Sequence, residues 1–402
     1  MAKGRPKKDK NDIVVEKNNK SEKKVDSVLE DLIKNVLKES VILSNSKEKY
    51  TVKQWFDTGS AVFNLLVSGD MYKGVPDNRA FQLVGDPSSS KSYMTKKIMK
   101  SAISQGWRII YIDTEGDVEI SDYEKAGLDT SKILMVEDAD DITKVTNKML
   151  NVVEYSKIDP KIMIVVDSIG NLASEKEITD ALDGNDKADM SRAKKLKAFF
   201  RMILKKAFNK RIPLVLINHQ YDSQGMFVQK VVGGGMGSRF ASTFIIELSK
   251  AQFKKGDEVI GIIVTAKNKK NRFTKEYKEV KFYIDYNGGI SFYSGIAELL
   301  VQYKLAQKIG GAKKAESKEE KKEAKKVAGF VIDGVEYYLK NMDNETWEEC
   351  IKKHNINERL GDLFKYKNKT ENVNIEEDDI DDELNDDLED DKTTEETTND
   401  ED

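Results

Sequence analysis

An apolar run, Phe81-Gln82-Leu83-Val84, breaks at Gly85-Asp86-Pro87-Ser88-Ser89-Ser90-Lys91-Ser92 and gives way to a helix-like stretch. A strand that turns directly into a helix belongs to a layered α/β fold. In such a turn, successive backbone N–H groups and the helix N-terminus point at phosphate oxygens. The lysine reaches the β/γ oxygens, and the hydroxyl after it ligates Mg²⁺. The octapeptide therefore predicts an ATP site, with Gly85 to Ser90 as the cradle, Lys91 on the phosphates and Ser92 on the metal. The standard pattern has glycine where Ser90 stands, and a side chain there is strained if the backbone needs a positive φ. Read alone, the same residues also suit an ordinary helix start.

Two carboxylates add to this reading. Ile162-Met163-Ile164-Val165-Val166-Asp167 reads as a buried parallel strand that ends in an acid, and Asp167 is the natural Mg²⁺ partner of Ser92. Arg108-Ile109-Ile110-Tyr111-Ile112-Asp113-Thr114-Glu115 delivers Glu115 to the same sheet edge, where ligands of open α/β sheets gather. A carboxylate there can orient or deprotonate the water that attacks a γ-phosphate. Either acid alone reads equally as a solvated strand end.

The wider pattern is consistent. Strands are predicted near 80–84, 108–112, 132–136, 161–166 and 212–217, with helices over 91–105, 140–157 and 190–209. That alternation calls for a mostly parallel sheet with both faces covered. Later strands, 243–248, 259–266 and 279–286, are joined by short connections and predict an antiparallel edge. Residues 1–24 are lysine-rich and aperiodic, so a disordered basic arm is expected. Val25, Val28, Leu29, Leu32, Ile33, Val36 and Leu37 recur with helical spacing, which makes 25–54 a helical segment that packs on its own core or on a neighbouring subunit. A core over 55–310 is followed at 311–370 by a charged linker and a small C-terminal domain, with an Asp333-Gly334 hairpin signal and Trp347, Ile351 and Leu360 as its apolar residues.

A chain of 402 residues can bury a large core. One cysteine, Cys350, excludes an intrachain disulfide framework, and two histidines, His219 and His354, leave no His/Cys metal cluster. No run is apolar for the roughly 18 residues that a membrane span needs, so a soluble protein of the cytoplasm is expected. The net charge of −4 hides a division: residues 371–402 carry −17 and residues 1–370 carry +13. A basic body with a disordered acidic tail predicts a polyanionic partner and a tail that competes with it; a tail that only aids solubility is the plainer reading.

Three further stretches resemble a family. They are Leu214-Val215-Leu216-Ile217-Asn218-His219-Gln220 with Gly225-Met226-Phe227 and Gly233-Gly234-Gly235-Met236-Gly237; Lys267-Asn268-Lys269; and Gly288-Gly289-Ile290-Ser291-Phe292-Tyr293. With the Lys91 and Asp167 motifs they resemble the RecA recombinases, and within these the UvsX type of tailed phages. The resemblance covers roughly 55–310 and implies a RecA-like P-loop core that polymerises on single-stranded DNA with ATP and Mg²⁺, pairs it with homologous duplex DNA and exchanges strands. It also implies a helical filament of identical subunits with the ATP site between them, and a single-stranded DNA-binding protein and a recombination mediator as further partners. Lys267 and Lys269 match lysines that reach a neighbour's γ-phosphate, in the manner of an arginine finger given in trans. His219 stands where bacterial members place a γ-phosphate-sensing glutamine. Tyr123 matches an adenine-stacking position, and a cis peptide is implied at Asp167-Ser168. Without the family, these lysines, His219 and Tyr123 read as ordinary surface or structural residues.

Segments 174–189 and 220–239 lack regular patterning and are expected as DNA-binding loops. The second offers Tyr221, Met226, Phe227, Lys230, Gly233, Gly234, Gly235 and Arg239; the first, with the helix start after it, offers Lys176, Lys187, Arg192 and Lys194. No base-reading helix motif is present, so binding should be sequence-independent and salt-sensitive. His219 abuts the second loop and is expected to carry the nucleotide state to DNA. The competing readings are a RecA-like ring helicase, which would normally bring an arginine finger and an extra helical domain, and a nucleotide-gated single-stranded DNA-binding or mediator protein.

Overall fold

The computed structural model describes residues 27–37, 40, 42–43, 50–184, 191–222, 230–232, 242–310 and 328–366. The chain divides into two units, residues 1–53 and 54–402. In the first, helix α1 (Ser27–Asn35) leaves Val28, Leu29 and Leu32 exposed. The expected arm, charged linker and acidic tail lie outside the described residues.

The second unit opens with strand β1 (Trp55–Phe56), helix α2 (Ala61–Ser68) and strand β2 (Val75–Pro76), which pairs with β1. Then follow β3 (Ala80–Gly85), α3 (Lys91–Ser104), β4 (Arg108–Asp113), α4 (Ile120–Lys125), β5 (Ile133–Val136), α5 (Ile142–Tyr155) and β6 (Ile162–Asp167). Next come α6 (Glu175–Leu182), α7 (Ser191–Asn209), β7 (Leu214–Asp222), β8 (Lys230–Val232), β9 (Phe244–Lys255), β10 (Glu258–Lys270), β11 (Glu279–Asp285) and β12 (Gly289–Ile290). One sheet orders them β12-β11-β10-β9-β3-β7-β6-β4-β5, with β8 paired to β7. Strands β9, β3, β7, β6, β4 and β5 run parallel, while β10, β11 and β12 are antiparallel, as the sequence pattern predicts.

Strand side chains alternate between the two faces, so the continuous apolar runs fill two cores. Phe81, Leu83, Ile109, Tyr111, Met163, Val165 and Val215 join α2 and α3 on one face. Ala80, Ile110, Ile112, Ile164, Val166, Leu214 and Leu216 join α5 and α7 on the other. Truncating a fully buried member such as Leu83 to alanine costs about 2–5 kcal/mol. Helix α5 starts where Asp141 accepts from the N–H groups of Thr143 at 2.6 Å and Lys144 at 2.9 Å.

Beyond the sheet, α8 (Ile296–Gln302) leads to a small sheet of β13 (Gln307–Ile309), β14 (Gly329–Ile332) and β15 (Val335–Tyr338), followed by α9 (Asn344–Lys353) and α10 (Ile356–Phe364). The Asp333-Gly334 turn has φ of 48° and 79°, suited to the tight hairpin its sequence signals. Trp347, Ile351 and Leu360 are buried and share the core of the α2–α3 face. Among the described residues no helix is long and apolar enough to cross a membrane.

Segment 174–189 departs from expectation, because part of it is helix α6. Ser174 Oγ accepts from Glu177 N–H at 3.0 Å and Glu177 Oε2 accepts from Ser174 N–H at 3.3 Å, a reciprocal cap that starts a helix. Segment 220–239 departs too: β7 continues to Asp222 and pairs with β8, Tyr221 opposite Val231 and Asp222 opposite Lys230.

Candidate active site

The loop after β3 begins at a residue that must be glycine. A Cβ on Gly85 would lie 2.3 Å from the carbonyl oxygen of Leu248 on neighbouring β9. The loop then turns through Ser88 at φ 58° and Ser90 at φ 74°. The position where the sequence departs from glycine is thus a left-handed one, and Ser90 precedes the first turn of α3 in that conformation. Asp86 and Pro87 complete the turn, Ser89 N–H donates to Asp86 O at 3.2 Å, and Ser89 is buried.

Lys91 is buried at the head of α3, where its ammonium donates to the carbonyls of Gly85 and Asp86, each at 2.9 Å. Burial lowers its pKa, opposed by the charges of Asp167, Glu115 and Asp86. One residue on, Ser92 Oγ donates to Asp167 Oδ2 at 3.2 Å. Tyr111 donates to the same oxygen at 2.8 Å from within β4. Burial pushes the Asp167 carboxyl up to about 6 against the Tyr111 bond, and the charge of Glu115 adds to the rise. The peptide from Asp167 to Ser168 is cis, as the resemblance implied.

Glu115 lies past the end of β4. Its Oε1 faces His219 Nε2 at 2.6 Å and accepts from Asn171 Nδ2 at 3.2 Å. Asp113 Oδ1 fixes the turn by accepting from the N–H groups of Glu115 at 2.9 Å and Gly116 at 3.0 Å. Burial works against the Glu115 charge, yet the His219 bond and the Lys91 ammonium hold its pKa below the ordinary value. The edge formed by β3, β4, β6 and β7 therefore gathers Lys91, Ser92, Glu115, Asp167 and His219 around one loop.

Hydroxyl and carboxylate oxygens side by side, beneath an anion-binding turn, are what Mg²⁺ uses when it keeps its waters and takes further oxygens from a bound triphosphate. Among the described residues no group of three or more His, Cys, Asp or Glu is placed to hold a metal.

Several sequence-predicted residues lie elsewhere. Tyr123 is 5% exposed, its ring edge-on to Tyr111 at 5.9 Å with Lys96 Nζ 4.5 Å from its centre. The ring packs beside Tyr111, which donates to Asp167. Arg192 donates Nε to Leu172 O at 2.8 Å and Nη2 to Gly170 O, bracing the turn after β6. Lys176 and Lys194 are exposed. Lys187, Met226, Phe227, Gly233, Gly234, Gly235 and Arg239 lie outside the described residues, and only the backbones of Tyr221 and Lys230 are described.

Lys267 and Lys269 sit on β10, two strands from the loop. Lys267 pairs in register with Glu247 of β9, and the ladder slips between Asn268 and Lys270, so Lys269 occupies a β-bulge. A bulge re-aims the side chain that it carries. Lys269 Nζ lies 3.0 Å from Glu247 Oε2. Asn268 turns inward and donates to Thr274 Oγ1 and to Lys275 O, each at 3.0 Å.

Sequence reasoning missed Tyr111, whose place in an apolar strand made it read as core, and Glu247. The phenol of Tyr111 in an otherwise apolar strand was its only signal, and Glu247, near the start of β9, gave none.

Comparison with known proteins gives the same picture. The RecA N-terminal domain family model matches residues 23–291. The recombination and repair protein of Enterobacteria phage T4 is 29% identical over 245 residues, 60% of this chain and 62% of the relative. Protein RecA of Malacoplasma penetrans (strain HF-2) is 22% identical over 294 residues, 72% of this chain and 85% of the relative. Protein RecA of Ehrlichia canis (strain Jake) is 25% identical over 279 residues, 67% of this chain and 76% of the relative. The match spans a little under two thirds of the phage T4 protein's length.

Proposed function

The chain belongs to the RecA family, and from that premise we propose that it is an ATP-dependent recombinase that assembles on single-stranded DNA and catalyses pairing and strand exchange with a homologous duplex. The observation that carries this reading is the 2.6 Å contact between Glu115 and His219. It ties the acid beside the phosphate loop to the root of the β7–β8 hairpin, so nucleotide state and hairpin geometry share a hydrogen bond. The names of the phage T4 and bacterial relatives support the same activity.

In this reading Gly85 to Ser90 and the α3 N-terminus cradle the phosphates, and Lys91 moves from the loop carbonyls onto phosphate oxygens. Ser92 and Asp167 would hold Mg²⁺, which would supply positive charge against the phosphates. Glu115, kept ionised, accepts a proton of the attacking water and orients it. His219 senses γ-phosphate through that acid and passes the signal to segment 220–239, which with Lys194 and other surface cations holds the DNA backbone. Lys267 and Lys269 serve the site of a neighbouring copy. The exposed apolar residues of α1 suit packing against such a copy, and residues 371–402 compete with DNA for the basic body. Partners such as a single-stranded DNA-binding protein and a mediator belong to the same proposal.

The test is strand exchange between circular single-stranded and linear duplex DNA. Joint molecules should form with ATP and with a non-hydrolysable analogue, and fail with ADP. Equal yields with no nucleotide refute the proposal.

A further inference from the structure

Adjacent residues of a strand point to opposite faces. At the end of β7 this sends His219 to Glu115 and Gln220 the other way. Gln220 is buried, and its Nε2 donates to Glu247 Oε1 at 2.7 Å. The second oxygen of the same carboxylate holds Lys269 Nζ at 3.0 Å. Glu247 stands in register with Val84, whose other neighbour is Asn218, so the Gln220–Glu247 bond bridges β3 just where its chain leaves for the phosphate loop. One carboxylate thereby joins the root of the β7–β8 hairpin to the bulged lysine of β10.

We propose that Glu247 is a positioning residue that yokes Lys269 to the end of β7, so that the hairpin and the lysine move together. The bulge frees Lys269 from the regular alternation of the strand, and its long stem has many rotamers. A bond from a largely buried carboxylate, itself fixed by a buried amide, selects one direction for it. A change in the hairpin that shifts Gln220 then shifts Glu247, and with it the lysine. DNA stimulation of ATP hydrolysis follows through this path, beside the one through His219. The inference rests on the proposed role of Lys269 at a neighbour's phosphates.

The experiment measures DNA-stimulated ATP hydrolysis by the full chain carrying Glu247→Gln, Gln220→Ala, Lys269→Ala and the pairwise combinations, with unfolding midpoints as the check on folding. Glutamine at 247 keeps an acceptor for Gln220 and removes the negative charge that holds Lys269. Roughly a three- to tenfold loss of kcat is expected, with KM for ATP within about twofold, because the lysine is positioned for the reaction and not for nucleotide binding. In combination with Lys269→Ala, either Glu247→Gln or Gln220→Ala should add little, since all three break one chain of contacts. If Lys269→Ala slows hydrolysis while Glu247→Gln leaves it unchanged, or if the losses multiply, the yoke is wrong and the proposed function stands. If Lys269→Ala itself has no effect, the cross-subunit role of the lysine falls, and this inference with it. Should Glu247→Gln fail to fold, Gln220→Ala with Lys269→Ala reads the same coupling, and multiplicative losses there overturn it.

Discussion

Replacing Asp167 by asparagine should stabilise the nucleotide-free protein while abolishing its activity. Asp167 is 6% exposed, and burial raises its carboxyl from the ordinary 3.8 to about 6. At about 1.4 kcal/mol for each tenfold change in proton affinity, that rise amounts to about 3 kcal/mol of folding free energy withheld at neutral pH. The sign follows from the direction of the rise: the folded chain holds this proton more tightly than the unfolded chain. The stabilisation from protonation is complete below the unfolded value and is lost as pH climbs through about 6. Asparagine never ionises and can still accept from Tyr111, so it should gain about 2 kcal/mol over the wild type above pH 7, allowing for imperfect replacement of the Ser92 contact. That corresponds to about 3 °C in the midpoint of thermal unfolding for a unit of this size. Melting both proteins between pH 3.5 and 8 without nucleotide checks this: the curves should separate as pH rises from about 4 to about 6 and hold their distance above that, and Mg²⁺ with ATP should stabilise the wild type more than the variant. A difference that stays constant across the range would refute the account of a desolvated, metal-ready carboxylate.

Other outcomes follow from the same geometry. Tyr111→Phe removes a buried donor to Asp167 without changing the shape of the core, so it should weaken Mg²⁺-dependent ATP hydrolysis by about tenfold, read as a higher Mg²⁺ requirement in steady-state assays. Ser90→Gly should raise thermal stability by about 1 kcal/mol, because relief of a left-handed serine at φ 74° exceeds the added chain freedom; differential scanning calorimetry checks it. Glu115→Gln should retain ATP binding by equilibrium titration while hydrolysis falls by at least about a hundredfold. Deleting residues 371–402 removes a net charge of −17 and should tighten single-stranded DNA binding or flatten its salt dependence in a fluorescence titration.

The loop at Lys91 and the order of the parallel strands were legible because both write themselves locally: glycine, lysine and hydroxyl at fixed spacing, and unbroken apolar runs wherever helices cover both faces. The β9–β10 ladder was not legible to its full length. Beyond Leu248, residues such as Lys250, Lys254 and Lys255 are exposed, so the pairing extends past the covered part of the sheet and leaves no apolar alternation to read. Helix α6 escaped for the opposite reason, since its signal was the short reciprocal cap of Ser174 and Glu177 and not a run of apolar residues. Of the site, Lys91, Ser92, Glu115 and Asp167 lie together at one sheet edge, and His219, singled out only by the resemblance, lies against Glu115. The edge-on packing of Tyr123 against Tyr111 had no local signal, because it joins two segments through the fold. Contacts between strands distant in sequence, such as Glu247 with Gln220 and Lys269, carry no local pattern at all.

The central claim is that a nucleotide clasped at Lys91 governs assembly on DNA. Sedimentation of the full chain with an excess of single-stranded DNA at fixed salt, with ATP, with ADP and with no nucleotide, tests it directly when wild type and Lys91→Ala are run together. Fast-sedimenting assemblies should appear for the wild type with ATP alone, and for Lys91→Ala under none of the three conditions. Assemblies of equal size in all three conditions, or an unimpaired Lys91→Ala protein, would contradict it.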